Sequence, residues 1–197
     1  GRGRRDNKWF STPGNNLTFS LILKENNNSH LELFSILSGV ALIEGIKKFA
    51  NITCYLKWPN DIMLNDKKIG GILIERKKKN DDTYLIIGIG LNVNQEEIPN
   101  ELQHIASSLR IEKSVPVQRE PLLAFILNEF EKLYKNNPKK WVSNWKKYCG
   151  HINKKIMFHR DNTSIEGRFL DIDNDGNAII DIDSKKIIIS SGVLEVL

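Results

Sequence analysis

The sequence has few cysteines and no long apolar run. Cys54 and Cys149 lie far apart in a chain of 197 residues and belong to no C-x-x-C pair, so neither a disulfide framework nor a cysteine-based zinc site is indicated. The longest apolar stretch, residues 85–93, is interrupted by Gly88 and Gly90 and is much shorter than the roughly 20 residues that span a bilayer. We therefore expect a protein of a reducing compartment, the cytoplasm, without a membrane segment.

Several common catalytic motifs are also missing. The histidines show no i, i+4 pairing with a carboxylate, so a zinc hydrolase would have no ligands. Neither G-x-S-x-G nor G-x-x-x-x-G-K-[ST] occurs. Gly88-Ile89-Gly90 resembles the start of a dinucleotide fingerprint, but its third glycine would fall at Val93, where no helix is expected to begin. These absences disfavour esterases, P-loop enzymes and Rossmann dehydrogenases.

One stretch near the C-terminus imitates a calcium loop. Asp171, Asp173 and Asp175 have the right spacing, but the twelfth position of the loop is Ile182 and not the required glutamate. Asn174-Asp175-Gly176 instead favours a hairpin turn between two alternating strands, because these residues tolerate positive φ. We therefore expect no resident metal site.

The composition is that of an ordinary globular protein with a basic surface. Hydrophobic residues make up 40% and charged residues 27%, and Lys+Arg 29 against Asp+Glu 24 leaves a net charge of +5. This excess favours anionic ligands or partners, although a solvated lysine-rich surface is the simpler interpretation. The length is enough for one large domain, or for a medium domain followed by a small one.

Residue periodicity predicts an α+β fold built on a mixed, largely antiparallel sheet with flanking helices. The joints at Asn65-Asp66 and Asn80-Asp81-Asp82 have hairpin chemistry and are too short for crossover helices. The expected strands cover residues 17–23, 53–58, 62–64, 69–76 and 84–91. The expected helices cover 31–49 and 119–134, with a short one near 105–109 and another after Pro138.

The pattern changes after Gly150. Five short strands in residues 155–196 predict a small barrel, which gives two domains, 1–150 and 151–197. Just before this boundary, Trp141, Trp145 and Tyr148 share one helix face. That spacing is typical of packing against a domain rather than of ligand stacking.

Two cationic features are candidates for a site. Gly1 to Arg5 interleaves arginines with glycines, as a loop needs in order to close its backbone on a phosphate, although a solvated or nucleic-acid-binding arm has the same composition. Lys57 follows Tyr55-Leu56 and precedes Trp58-Pro59, so its neighbours are apolar. A lysine in such surroundings usually has an anionic partner.

These residues, read together, resemble biotin protein ligases. The family's motifs occur here in its order and spacing as Gly-Arg-Gly-Arg-Arg at 1–5 with Trp9, Lys-Trp-Pro-Asn-Asp at 57–61, Lys-Ile-Gly-Gly-Ile-Leu-Ile-Glu at 68–75 and Gly-Ile-Gly-Leu-Asn-Val-Asn at 88–94. The resemblance covers essentially the whole chain, because the family's catalytic domain is followed by a small Src-homology-3-like barrel. Asp6 departs from the family's usual glycine. The family's upstream strand is absent, so we expect the natural chain to begin earlier.

The resemblance implies a ligase that joins biotin and ATP into biotinyl-5′-AMP and then biotinylates one lysine of a carrier domain, such as that of acetyl-CoA carboxylase. It implies Lys57 and Arg4 as catalytic residues. It places Arg2, Gly3, Arg4, Lys57, Gly70 and Gly71 at biotin, and Arg4, Trp9, Lys57, Asn60 and Asn92 at ATP. Magnesium is expected to bridge the triphosphate oxygens with few protein ligands. A homodimer is possible, and DNA becomes a partner only if a further domain precedes Gly1.

Two alternatives remain open at this point. A lipoate ligase uses a related scaffold and the same adenylation chemistry, although the loop at 1–5 and the corner at 57–61 favour biotin. A basic nucleic-acid-binding module is suggested by the sequence pI of about 9.1. That module would need aromatic side chains among the basic ones on the barrel, where only Phe158 and Phe169 are available.

Overall fold

The N-terminal half folds around an antiparallel sheet of five strands. A computed structural model describes residues 1–4, 9–25, 31–160 and 163–197, apart from the side chain of Arg160. The strand order is β1-β5-β4-β3-β2, and every pairing is antiparallel. The strands are β1 (Leu17–Glu25), β2 (Tyr55–Lys57), β3 (Asp61–Leu64), β4 (Lys67–Lys79) and β5 (Asp82–Leu91).

Helices cover only one face of this sheet. α1 (Leu31–Ala50) buries most of its side chains between the sheet and α3 (Arg119–Tyr134), while α4 (Pro138–Tyr148) packs beside it. The inward residues of β5 (Leu85, Ile87 and Ile89) are buried, as period-2 alternation requires. Each such side chain contributes about 1.5–3 kcal/mol relative to exposure. No helix of the described residues packs on the opposite face of the sheet, which carries the site described below.

The C-terminal residues form a second antiparallel sheet, which is barrel-like. Its order is β10-β6-β7-β8-β9, built from β6 (Lys155–Arg160), β7 (Thr163–Ile172), β8 (Ala178–Ile182), β9 (Lys185–Ile189) and β10 (Val193–Val196). The β7–β8 turn contacts the first half of the chain, since the indole Nε1 of buried Trp58 donates to the carbonyl of Gly176 at 3.1 Å. This hydrogen bond ties the two sheets together.

Most of the expected elements are present. α3 has the predicted bounds, and the turn at Asp173–Gly176 is a hairpin in which the Asp173 carboxylate accepts from the backbone N–H of Asp175 and Gly176 has φ 85°. Trp141 and Trp145 are buried, as the core interpretation predicted. No described helix is long and apolar enough to cross a membrane.

One helix was predicted in the wrong place. α2 (Leu109–Lys113) begins where residues 105–109 were expected to end, and residues 105–106 form a bridge to β4 instead. The reason is local capping, because the Ser108 hydroxyl accepts from the backbone N–H of Ile111 and fixes the start of the helix there. Asp6, the departure from the family's loop motif, lies outside the described residues.

Candidate active site

A cavity of about 430 Å³ opens on the uncovered face of the first sheet. Its walls come from four parts of the chain: the N-terminal residues, the corner after β2, the strands β1, β4 and β5, and the start of β10. Most of the residues predicted for the site line it, namely Arg2, Gly3, Arg4, Trp9, Lys57, Asn60 and Gly71. The fold thus brings together motifs that are up to about 90 residues apart in sequence, from the loop at 1–5 to the glycines of β5.

The floor of the cavity is made of glycine backbone covered by an indole. The Trp9 ring lies against Gly90, where an added Cβ would be 2.5 Å from its Cε2. The ring also lies near Gly71, where an added Cβ would be 3.6 Å from its Cζ3. Only glycine leaves room for so close an approach between a ring and a strand. The Trp9 N–H donates to the Gly1 carbonyl and the Gly1 nitrogen donates to the Trp9 carbonyl, each at 3.0 Å, which holds Trp9 beside Gly1. The Trp9 Nε1 is buried without a hydrogen-bond partner among the described residues.

The corner after β2 carries Lys57 into the cavity wall. Lys57 is the last residue of β2 and faces Asp61 across the hairpin, with a cis Trp58–Pro59 peptide bond between them. In the described part of the chain Lys57 makes no ion pair. The Asn60 Nδ2 donates to the carbonyl of Ile72 at 2.7 Å, and its Oδ1 accepts from Arg4 at 3.3 Å. The corner therefore positions one lysine and one arginine at the same wall.

The site contains a second lysine, Lys68, to which the sequence patterns assigned no role. Lys68 lines the cavity, its Nζ is 2.6 Å from Asp61 Oδ1, and its Cε is 3.3 Å from where a Cβ on Gly71 would lie. In a regular strand residues 68 and 71 would face opposite ways. A register shift between β3 and β4, with Gly70 opposite Ile62 and Lys68 opposite Met63, inserts one extra residue and turns Lys68 toward the cavity.

Arg2 is held by an acidic partner at the cavity edge. Its guanidinium donates to the Glu75 carboxylate at 3.2 Å, with the Arg2 side chain 78% exposed. An ion pair this exposed contributes little stability, about 0–1 kcal/mol, so a stronger anion in the cavity can replace Glu75. Gly3 follows on the cavity wall.

Two predicted contact residues do not line the cavity. Gly70 lies on the core side of β4, where its Cβ position meets Ile62 and Leu91, so its expected contact with biotin has no support from the geometry. Asn92 is buried, with its Nδ2 donating to the carbonyl of Ser107 at 3.0 Å. The Asn92 Oδ1 has no partner among the described residues, and its role at adenine stays a prediction.

A buried polar cluster anchors the segment that follows Trp9. The side chain of Asn16 accepts from Val93 N–H at 3.0 Å and donates to the Gln95 Oε1 at 2.9 Å. The Gln95 Nε2 donates to Thr12 at 2.9 Å, and its backbone carbonyl accepts from Ser108 at 2.6 Å. Three of these contacts join residues 77–83 positions apart, so the cluster could not be predicted from the sequence.

Behind Lys57 lies a buried histidine. Burial and the charges of Lys57 and Lys154 lower the pKa of His151 to about 3, so its imidazole is neutral. Burial also raises the pKa of the neighbouring Cys149 thiol to about 12, with Sγ 3.4 Å from His151 Nδ1. A neutral thiol beside a neutral imidazole is a packing pair rather than a nucleophile and base.

Two family models match the chain in sequence order. The biotin/lipoate A/B protein ligase family matches residues 1–92, and the biotin protein ligase C terminal domain matches residues 151–196. The bifunctional ligase/repressor BirA of Bacillus subtilis is 35% identical over 191 residues, which cover 92% of this chain. Its counterpart in Escherichia coli is 28% identical over 189 residues, covering 93% of this chain. The chain spans 58% and 59% of these two relatives, respectively.

A solved structure has the same fold. A biotin protein ligase from Aquifex aeolicus, determined in complex with biotin and ATP, has a TM-score of 0.83 at 28% identity. The match covers all of this chain and 84% of that one. With both family models matched in order and this structural similarity over its full length, the chain belongs to the biotin/lipoate A/B protein ligase family and carries the C-terminal domain of biotin protein ligases.

Proposed function

We propose that this protein activates biotin with ATP and transfers the biotinyl group to a lysine of a carrier protein. The observation that carries the proposal is the convergence of Arg2, Arg4, Lys57 and Lys68 on one cavity with an indole over bare backbone. In the first step a carboxylate oxygen attacks the α-phosphorus of ATP and pyrophosphate leaves. Both reactants are anions, so fixed cations reduce the repulsion that makes up much of the barrier.

The residue roles follow from these positions. Lys57 and Arg4 would act on the reacting carboxylate and α-phosphate, and Lys68 is added to them because its ammonium lies over Gly71. Arg2, Gly3 and Gly71 would line the biotin subsite. Trp9 and Asn60 would hold the nucleotide, and Asn92 is retained there on the resemblance alone.

In the second step the carrier's lysine amine attacks the acyl carbon of the mixed anhydride, and AMP leaves with the bonding electron pair while the amine loses a proton. The walls would keep water from the anhydride until that amine arrives. Mg²⁺ would bind mainly to phosphate oxygens, since the described residues contain no cluster of three metal-ligating side chains and the cavity carboxylate of Asp61 is paired with Lys68.

We further propose domains at 1–150 and 151–197, a cytoplasmic location and a carrier of the acetyl-CoA carboxylase type. The second sheet begins at Lys155, and Cys54 and Cys149 are both free thiols, as a reducing compartment requires. A homodimer also remains a proposal, and sedimentation at several protein concentrations would test it.

Pyrophosphate exchange measures the first step without a carrier. Biotin should support rapid isotope exchange between ATP and pyrophosphate, whereas lipoate as the sole acid should support almost none. Faster exchange with lipoate would identify a lipoate ligase instead. The nucleic-acid alternative has lost its support, because Phe158 and Phe169 are both buried in the second sheet and cannot stack on bases.

A further inference from the structure

The sheet face that carries the cavity continues beyond it. On β1, Thr18 and Ser20 line the cavity, and alternation places Ile22 and Lys24 on the same face farther along the strand. Ile22 is 66% exposed, although it lies in the middle of a strand. No described helix packs on this side, so the exposed side chain of Ile22 lies beside the cavity and is open to a partner.

The same face becomes cationic along β4. Leu73 and Glu75 line the cavity, and Lys77 and Lys79 follow on their side of the strand. The pairing of β4 with β5 runs without a register shift from Gly70 to Lys79, so no bulge turns these lysines away. Lys79 lies about 13 Å beyond Glu75 at the strand rise per residue.

These two lysines add positive charge to the cavity face of β4. Lys77 and Lys79 are exposed and make no ion pair with any described residue, whereas Lys24 nearby is neutralised by Asp82 at 2.8 Å. Lys78 is equally exposed but lies on the opposite face, beside Arg76, which pairs with Glu25. The cavity side of the strand therefore presents a positive end to a partner.

We propose that this face, from Ile22 to Lys77 and Lys79, docks an acidic protein surface that presents the acceptor lysine to the cavity. The inference rests on the proposed function, because the acyl adenylate must meet an amine carried by a macromolecule. A partner with about 800 Å² of contact would cover both the cavity mouth and the lysines. Complementary charge would guide its approach over roughly a Debye length and fix its orientation.

Three single variants with equal charge change test the proposal. Lys77→Glu and Lys79→Glu reverse charge on the cavity face, and Lys78→Glu reverses it on the other face of the same strand. A purified biotin carboxyl carrier domain serves as acceptor. We expect Lys77→Glu and Lys79→Glu to raise the KM for the carrier at least fivefold, with Lys78→Glu within twofold of the parent. Pyrophosphate exchange should remain within twofold in all three.

Several outcomes would overturn the docking face. An unchanged KM in Lys77→Glu and Lys79→Glu would do so, and so would an equal rise in Lys78→Glu, which would indicate net charge alone. Loss of DNA binding with normal carrier transfer would assign the lysines to nucleic acid. The affinity of the unmodified carrier domain for the parent and the variants measures docking without catalysis. If the parent binds the carrier domain but shows no pyrophosphate exchange, the proposed activity is contradicted and the docking face is not.

Discussion

Two of the cavity's cations are lysines: Lys57 lies at the end of β2, and Lys68 lies at the start of β4. Lys57 has no ion pair among the described residues, while Lys68 is 2.6 Å from Asp61 and lies over Gly71. Lys57 also lies close enough to His151 for its positive charge to lower the pKa of that buried imidazole. The two lysines therefore differ in how directly they face a bound anion.

We expect Lys57→Ala and Lys68→Ala each to lower biotin-dependent pyrophosphate exchange by about 100-fold or more, because each removes a cation from between two reacting anions. Both side chains are partly exposed, so circular dichroism and thermal unfolding should match the parent. Near-normal exchange in Lys57→Ala, with a large loss in Lys68→Ala, would assign the bridging role to Lys68 alone.

Arg4 is expected to act on retention of the intermediate. Its guanidinium is half-buried and donates to Asn60, so it is already directed to the wall where the phosphate would lie. Arg4→Gly should release biotinyl-5′-AMP at least tenfold faster, as followed by filtration of the enzyme-bound, radiolabelled adenylate. Equal retention by variant and parent would remove Arg4 from the site.

In β5, the structure requires glycine at position 90 more strictly than at position 88. A Cβ at Gly90 would come within 2.5–2.8 Å of the Trp9 ring, whereas one at Gly88 would meet nothing closer than 3.4 Å. Gly90→Ala should displace Trp9 and raise the KM for ATP by about tenfold in the exchange assay. Gly88→Ala is the matched control on the same face, and an equal effect of both changes would contradict a specific seat for the indole.

The whole molecule should lose stability in mild acid through His151. Its pKa is about 3 when folded and about 6.5 when unfolded, so below pH 6.5 the unfolded chain binds a proton that the folded chain does not. The free energy of unfolding should therefore fall by about 2.5 kcal/mol more between pH 7 and 4.5 than it does in His151→Phe. Urea titrations of both proteins at the two pH values measure this difference, and parallel pH profiles would contradict it.

The two-sheet organisation and most element bounds could be predicted, because alternation and capping are local. α3 begins and ends where its apolar stripe and Pro121 indicate. Lys68 was missed since its direction depends on a bulge between β3 and β4, which leaves no mark in the residue pattern. The Arg2–Glu75 pair joins positions 73 residues apart, and Asn92 points away from the cavity because of Ser107, so neither was accessible from periodicity.

The hydrogen bond from Trp58 to Gly176 also orders events during synthesis. Its acceptor lies 118 residues after its donor, and ribosomes add about 5–20 residues per second. On the order of ten seconds therefore pass between the synthesis of Trp58 and that of Gly176. During that interval the corner that carries Lys57 is made but lacks the support of the second sheet. A nascent chain released before Gly176 would therefore contain every lysine and arginine of the cavity but would lack the contact between Trp58 and the second sheet.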